Sequence, residues 1–181
     1  LTADSGDPAV TATCDTGYSV GGLGQDSTVT RTCQVDGTFS GSDQCQANTC
    51  ATATVANSNG TSITGTTGTD VVVTCSNGYE GSGTATCGTN GTFNTISCSP
   101  CAAGKKSTGG VACSDCAGGK FAAGTGNATC TDHTTCVAGQ GATNTPDATT
   151  NTTCALCPAG AVNNAGDTTA CSACTGSTYA K

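Results

Sequence analysis

Short β-branched runs alternate with turn residues along the first hundred positions of the chain. The runs AVTAT, TVTRT and DVVVT, at 9–13, 28–32 and 70–74, each come directly before a cysteine. Gly, Asn and Asp separate the runs, and these residues favour tight turns. No segment has the apolar spacing of about 3.6 residues that an amphipathic helix requires. The pattern predicts short β-strands joined by tight turns, with little or no helix.

One cysteine pattern occurs twice in this part of the chain. The first copy contains CDTGY at 14–18 and RTCQVDGTF at 31–39, and the second reads CSNGYEGSGTATCGTNGTF at 75–93. Each copy has Cys-x-x-Gly-Tyr, then Cys-x-x-(Asp/Asn)-Gly-Thr-Phe, and then a last cysteine at Cys45 or Cys98. We expect the tyrosines and phenylalanines of the two copies to pack in small module cores.

A different pattern begins at Ser99. There the chain repeats Cys-x-(Ala/Gly)-Gly, about ten polar residues and Cys-x-x-Cys as far as Cys174. The repetition indicates a second kind of small module.

Composition shows how such modules are stabilised. Leu, Ile, Val and Phe make up 19 of 181 residues, and Trp and Met are absent. A fraction this low normally marks a chain that cannot bury enough apolar surface to offset its conformational entropy. Sixteen cysteines change this conclusion, because each disulfide removes about 3 kcal/mol of chain entropy from the unfolded state. We therefore predict small disulfide-rich all-β modules in series, forming an elongated rod.

The cysteine content also indicates an oxidising compartment, extracellular or at the cell surface. Four N-glycosylation triplets agree with this location and are expected on exposed loops; they begin at Asn59, Asn90, Asn127 and Asn151. A net charge of −7 with 9% charged residues argues against nucleic-acid binding, because phosphate contacts need clustered Lys and Arg. No basic amphipathic stretch suggests direct membrane binding.

The repeated pattern of the first hundred residues resembles the sushi, or complement control protein, module. Residues 48–98 cover one module, and residues 1–47 cover a second that lacks its opening cysteine. The family joins its first cysteine to its third and its second to its fourth. The resemblance therefore implies the disulfides Cys50–Cys87, Cys75–Cys98 and Cys14–Cys45, and it leaves Cys33 without a partner in this segment.

The pattern after Ser99 resembles the cysteine-rich repeats of tumour necrosis factor receptors and the related ephrin-receptor-like repeats. Such repeats would occupy 99–135 and 136–181, the last one incomplete. Pairing within local loops predicts the disulfides Cys101–Cys113, Cys116–Cys130, Cys136–Cys154 and Cys157–Cys171. Interleaved pairing around Cys130 and Cys136 is the alternative. Cys174 is left over, and we expect Cys33 and Cys174 to bond to cysteines outside the segment.

Candidate reactive groups have simpler interpretations. Cys98, Cys101, Cys113 and Cys116 give Cys-x2-Cys-x11-Cys-x2-Cys, which is close to a structural zinc spacing. The spacing recurs at repeat boundaries, so disulfides are favoured over zinc, and no cofactor is expected. His133 is the only histidine; it lies in a polar stretch and is interpreted as a solvated surface residue. The sequence therefore does not indicate an enzyme.

These features favour an extracellular structural protein, a glycosylated segment of a fibre or cell-surface appendage. The mixture of repeats is similar to that of protist surface and flagellar-hair (mastigoneme) proteins. Its partners would be further copies of the chain or neighbouring repeats of the same polypeptide. The alternative is a receptor or adhesin ectodomain that binds a protein or glycan ligand.

Overall fold

A computed structural model describes residues 4, 6–25, 27–60 and 62–175, and in these residues the chain forms sixteen short β-strands and no helix. In chain order the strands are β1 (Val10–Thr13), β2 (Tyr18–Val20), β3 (Thr28–Arg31), β4 (Cys45–Ala47), β5 (Asp70–Val73), β6 (Tyr79–Glu80), β7 (Gly83–Thr86), β8 (Ser99–Pro100), β9 (Lys105–Lys106), β10 (Ser114–Asp115), β11 (Lys120–Phe121), β12 (Thr131–Asp132), β13 (Gln140–Ala142), β14 (Cys154–Leu156), β15 (Ala161–Val162) and β16 (Ser172–Ala173).

The strands pair only in twos. Each described sheet is antiparallel and has two strands: β1 with β3, β2 with β4, β5 with β7, β6 with β8, β9 with β10, β11 with β12, β13 with β14, and β15 with β16. An isolated two-stranded sheet is marginally stable in water, so these pairs need further support. The prediction of small disulfide-rich all-β modules is confirmed.

One local structure recurs across both halves of the chain, and we call it the Cys-x-x-Gly unit. It begins with Cys-x-x-Gly, continues into a short strand, and closes with a disulfide from its first cysteine to a cysteine that begins the partner strand or directly precedes it. The six closing disulfides are Cys14–Cys45, Cys75–Cys98, Cys101–Cys113, Cys116–Cys130, Cys136–Cys154 and Cys157–Cys171. The two sequence patterns therefore share one structural unit.

The glycine of each unit makes a tight turn. Its φ lies between 79° and 87° in all six units (Gly17, Gly78, Gly104, Gly119, Gly139 and Gly160). A residue with a Cβ is strained at such angles, whereas glycine adopts them readily. In each turn, the residue after the glycine donates its N–H to the carbonyl of the residue after the cysteine, with N···O distances of 2.9–3.1 Å. This turn brings the first cysteine back towards its partner.

The strand register is also the same in the six units. The residue after the glycine pairs with the second residue after the closing cysteine; the pairs are Tyr18 with Ala47, Tyr79 with Pro100, Lys105 with Asp115, Lys120 with Asp132, Gln140 with Leu156, and Ala161 with Ala173. A fixed disulfide and a fixed turn together leave the strands one register.

A further hydrogen bond links each unit to the residues that follow it. The carbonyl of the turn glycine accepts the N–H of the third residue after the closing cysteine, at 2.8–3.0 Å; the donors are Asn48, Cys101, Cys116, His133, Cys157 and Cys174. Four of these six donors are cysteines. The Cys-x-x-Cys spacing therefore places the first cysteine of one unit against the turn of the unit before it.

Disulfides form most of the core. The largest fully buried side chains are those of Cys75, Cys87, Cys101, Cys136, Ser19 and Ser107. Large apolar side chains such as Leu23 and Val35 are exposed, and Tyr18 is 39% exposed. The expectation that the tyrosines and phenylalanines of the two copies pack in module cores is wrong for Tyr18, because its strand pairs with β4 alone. Tyr79, Phe39 and Phe93 are half-buried.

The chain packs as two compact units, Leu1–Thr74 with Ser82–Ser97, and Cys75–Gly81 with Cys98–Lys181. Residues 75–81 thus pack with the second unit, whereas the sequence pattern predicted that they belong to one module at 48–98. The Cys75–Cys98 disulfide and the pairing of Tyr79 with Pro100 hold this segment there.

The turn glycines predict a local stability difference that a neighbouring pair can test. Gly119 has φ +81°, whereas Gly118 lies outside the left-handed region, and a Cβ at either position would meet no atom within 4 Å. Gly119→Ala should therefore cost about 1–2 kcal/mol through backbone strain alone, and Gly118→Ala should cost nothing. Amide hydrogen exchange at His133, whose N–H bonds to Gly119, should accelerate about 5- to 30-fold in Gly119→Ala only. Equal exchange in the two variants would contradict the role of the turn.

Candidate functional site

The described residues hold no cluster of metal-ligating side chains. No group of three or more His, Cys, Asp or Glu side chains among them could hold a metal ion. The four cysteines with zinc-like spacing all form disulfides: Cys98 with Cys75, Cys101 with Cys113, and Cys116 with Cys130. A structural zinc site of this kind needs cysteine thiolates as ligands, and a sulfur in a disulfide is not a thiolate.

His133 is not the solvated surface residue that the sequence suggested. It is half-buried, and its ring stacks on Phe121 with the centroids 5.4 Å apart and the planes 17° from parallel. Its Nδ1 is buried without a hydrogen-bond partner. The burial of His133 follows from its position in the unit. It is the third residue after the closing cysteine, where four other units have a cysteine. The histidine packs against its own unit there.

Seven disulfides join fourteen of the sixteen cysteines. All seven are pairs that the family resemblance or local loop pairing suggested. Six close Cys-x-x-Gly units, and Cys50–Cys87 is the additional bond. Cys130 and Cys136 bond within their own loops, so the interleaved alternative does not occur. Every bond closes a loop between cysteines 12 to 37 residues apart.

Cys33 and Cys174 are unbonded. Cys33 is half-buried. Its backbone forms an isolated β-bridge with Phe39, and the backbone of the disulfide-bonded Cys87 forms the same β-bridge with Phe93. Cys174 is exposed, and its N–H bonds to Gly160 as that of Cys157 does to Gly139. Each free thiol therefore lies where an equivalent position elsewhere in the chain forms a disulfide.

A second recurring turn has an Asp or Asn followed two residues later by Thr. In four such turns the side-chain oxygen of the Asp or Asn accepts the threonine N–H at 2.8–3.1 Å; the pairs are Asp36 with Thr38, Asn90 with Thr92, Asp147 with Thr149, and Asp167 with Thr169. Hydrogen bonds to a carboxylate stabilise its charged form. Bonds from these threonines accordingly hold the pKa of Asp36, Asp147 and Asp167 below the usual aspartate value.

The four glycosylation triplets lie in two kinds of environment. Asn59 and Asn90 are exposed as expected, and Thr61 of the Asn59 triplet lies outside the described residues. The expectation of exposure is wrong for Asn127 and Asn151, which are half-buried. Their side-chain amides hold the local fold: the Nδ2 of Asn127 donates to the Gly124 carbonyl at 2.6 Å, and that of Asn151 donates to Thr134 Oγ1 at 2.8 Å.

Two shallow grooves of similar size lie on the surface. One, of about 370 Å³, is bordered by residues 142–146 and 168–170 in the second unit. The other, of about 390 Å³, is bordered by Asn90, Thr92, Phe93 and neighbouring residues in the first unit. The second groove thus adjoins one of the exposed glycosylation triplets.

Comparison of the chain with protein-family models, with curated proteins and with solved structures gave no match. The described residues also contain no helix that is long and apolar enough to cross a membrane. The disulfide content indicates an oxidising, extracellular environment. The features available for function are therefore the repeated unit, the two free thiols and the exposed triplets.

The lowered pKa of Asp36 predicts a measurable effect of the Thr38 hydroxyl. This hydroxyl donates to Asp36 at 2.7 Å, and its bond is the largest cause of the shift. Thr38→Val should raise the pKa of Asp36 towards its usual value. The shift should not be lost completely, because the backbone N–H of residue 38 still donates to the Asp36 carboxylate. Because the folded-state pKa is depressed, the turn is stabilised above the usual aspartate pKa of about 3.9 and weakens as the pH falls through the folded-state value.

Titration of the Asp36 carboxyl carbon by NMR measures this shift. Thr38→Ser keeps the hydroxyl and should titrate as the unmodified protein does. An identical pKa for Asp36 in the valine and serine variants would show that the hydroxyl bond has no influence.

Proposed function

We propose that this chain is an extracellular structural protein, a glycosylated segment of a fibre or cell-surface appendage. The observation that carries the proposal is the sixfold recurrence of one Cys-x-x-Gly unit with the same disulfide, turn, register and onward hydrogen bond. Through the onward hydrogen bond, each unit holds one of the residues that follow it in place. Such units can be added one after another, and each addition makes the protein longer.

The stabilising bonds suit an extracellular role. Closing a loop of about 15 residues by a disulfide contributes about 3 kcal/mol, and it does so without a large apolar core. Disulfides persist in oxidising surroundings and are rare in the reducing cytosol. A protein in which cystines supply half of the buried side chains would keep its fold outside the cell and lose it in a reducing compartment.

The surface composition is consistent with a hydrated, glycosylated material. Ser and Thr account for 53 of 181 residues, and the net charge is −7. Polar side chains and net charge of one sign keep an extended surface hydrated and soluble. They also limit unspecific association along the flanks, so assembly would depend on defined contacts.

The free thiols supply one such contact in this proposal. Cys33 and Cys174 would bond to cysteines outside this segment, in flanking repeats of the same polypeptide or in neighbouring copies. The equivalence of Cys33 with Cys87, and of Cys174 with Cys157, supports this assignment. An exposed free thiol in an oxidising environment would otherwise react with other thiols.

A receptor or adhesin ectodomain is the second candidate, and one observation favours it. In each unit, one residue of the second strand pairs with the residue after the turn glycine. This residue is Asp115 or Asp132 in two units and Leu156 in another, where it is 79% exposed. A constant frame that presents variable exposed side chains is how repeat proteins build recognition surfaces. A ligand would then be bound through side chains at these positions.

Negative-stain electron microscopy of native material, isolated without reductant, tests the structural role. We expect filaments or laterally associated fibres that contain this chain. Single particles that remain dispersed at high concentration and bind a ligand saturably would contradict the proposal and support the receptor.

Alkylation of the same preparation before reduction provides the control for the thiols. Neither Cys33 nor Cys174 should be labelled if both are bonded in the assembly, and both should be labelled after reduction. Labelling of both cysteines before reduction would show that neither forms a disulfide in the assembly.

A further inference from the structure

The turns around Asp36 and Asn90 are equivalent in structure and differ in chemistry. In both, the side-chain oxygen accepts the N–H and the hydroxyl of the threonine two residues later: 2.9 and 2.7 Å at Asp36, 3.1 and 2.9 Å at Asn90. The intervening glycine has φ +82° in one turn and +76° in the other. Because Asp36 serves the turn as well as Asn90 does, the fold does not require the amide nitrogen of Asn90.

That amide nitrogen belongs to an acceptor triplet for N-linked glycosylation, Asn90-Gly-Thr92. Asn90 is exposed, and the bonds of its turn use only the side-chain oxygen. The nitrogen of Asn90 is the atom to which a sugar would be attached.

The triplets at Asn127 and Asn151 differ in this respect. Their amide nitrogens donate to protein acceptors, Gly124 and Thr134 respectively, and both side chains are half-buried. The Asn151 oxygen also accepts the Thr134 N–H at 2.8 Å. In these two triplets the asparagine holds its own loop, and a sugar would have to displace it.

The groove of about 390 Å³ lies directly beside Asn90. Asn90, Thr92 and Phe93 all border it, and Phe93 is half-buried. The volume is in the range that accommodates a small ligand. A sugar ring has a face of C–H groups, and covering part of the phenylalanine ring with that face removes apolar surface from water.

We propose that Asn90 carries an N-linked oligosaccharide whose first sugar lies in the groove along Phe93, and that Asn127 and Asn151 remain unmodified. The inference rests on the extracellular role proposed above. The sugar donor is a lipid-diphosphate-linked oligosaccharide. The Asn90 nitrogen forms a bond to the anomeric carbon, the bond from that carbon to the phosphate oxygen breaks, the lipid diphosphate leaves, and one amide proton passes to a base of the transferase.

Secretion of the full chain from a eukaryotic cell line, followed by mass spectrometry of its glycopeptides, tests the attachment site. Asn90 should be occupied, and Asn127 and Asn151 should not. Asn90→Asp should lose one glycan and keep the turn, as Asp36 does. Asp36→Asn should gain one glycan, because it places the same triplet in the equivalent turn. An unmodified Asn90 in secreted, fully disulfide-bonded protein would overturn the proposal, and so would occupancy of Asn127 or Asn151.

A double-mutant comparison tests the groove. In the natural background, glycosylated protein should have a higher midpoint of urea unfolding than the Asn90→Asp variant. Phe93→Leu keeps an apolar side chain but removes the ring, and in that background the difference in midpoint should disappear. Phe39→Leu, at the equivalent position of the turn without a triplet, should leave the difference unchanged. A difference that persists in Phe93→Leu would place the sugar elsewhere.

The outcomes separate this inference from the structural role. Filaments with an unmodified Asn90 would refute the glycan site alone. Dispersed receptor-like particles with an occupied Asn90 would refute the structural role and leave the glycan site intact.

Discussion

The disulfide between the two cysteines of each Cys-x-x-Gly unit is the interaction on which the rest of the structure depends. A pair of two-residue strands contributes little stability by itself, and the buried side chains are mainly cystines, serines and small apolar residues. The covalent bond removes much of the freedom of the unfolded loop, and the glycine turn, with φ near 80°, directs the first cysteine towards the second. Strand register, burial and the onward hydrogen bond follow from these two constraints.

The same two constraints hold the backbone of each unit and leave the exposed side chains free to vary. The turn, disulfide and glycine carbonyl recur in all six units, whereas the paired position across the strands changes from Asp115 to Leu156 or Ala173. Side chains there can vary because the backbone is held elsewhere. For a structural protein, this arrangement allows the flanks to be adapted to neighbours or glycans without loss of the fold. In the structural role proposed above, the exposed triplet at Asn90 and the free thiols at Cys33 and Cys174 would be such adaptations.

Much of the fold could be predicted from the sequence. The β-branched runs before Cys14, Cys33 and Cys75 indicated strands. The family resemblance of the first hundred residues implied three disulfides, and pairing within local loops suggested the other four, with an interleaved alternative left open. Cys-x-x-Gly is visible in both sequence patterns, but the onward hydrogen bond that the two halves share could not be predicted, since its donors are residues as different as Asn48, Cys101 and His133. The environments of Asn127 and Asn151 were also hidden, because a triplet that accepts a glycan and an asparagine that holds a loop have the same sequence. The stacking of His133 on Phe121 depends on its place in the unit, which the surrounding polar residues do not reveal.

Every Cys-x-x-Gly unit is closed by its own disulfide, so the two cysteines of a Cys-x-x-Cys pair belong to different bonds. A protein with local closure can add units without altering those already formed, which is the property a length-generating repeat needs. This bonding pattern can be tested by mass-spectrometric mapping of peptides from unreduced protein, digested at low pH to prevent disulfide exchange. We expect the six closing bonds together with Cys50–Cys87, and no bond within any Cys-x-x-Cys pair. A bond such as Cys113–Cys116 or Cys154–Cys157, or a bond between Cys130 and Cys136, would contradict it.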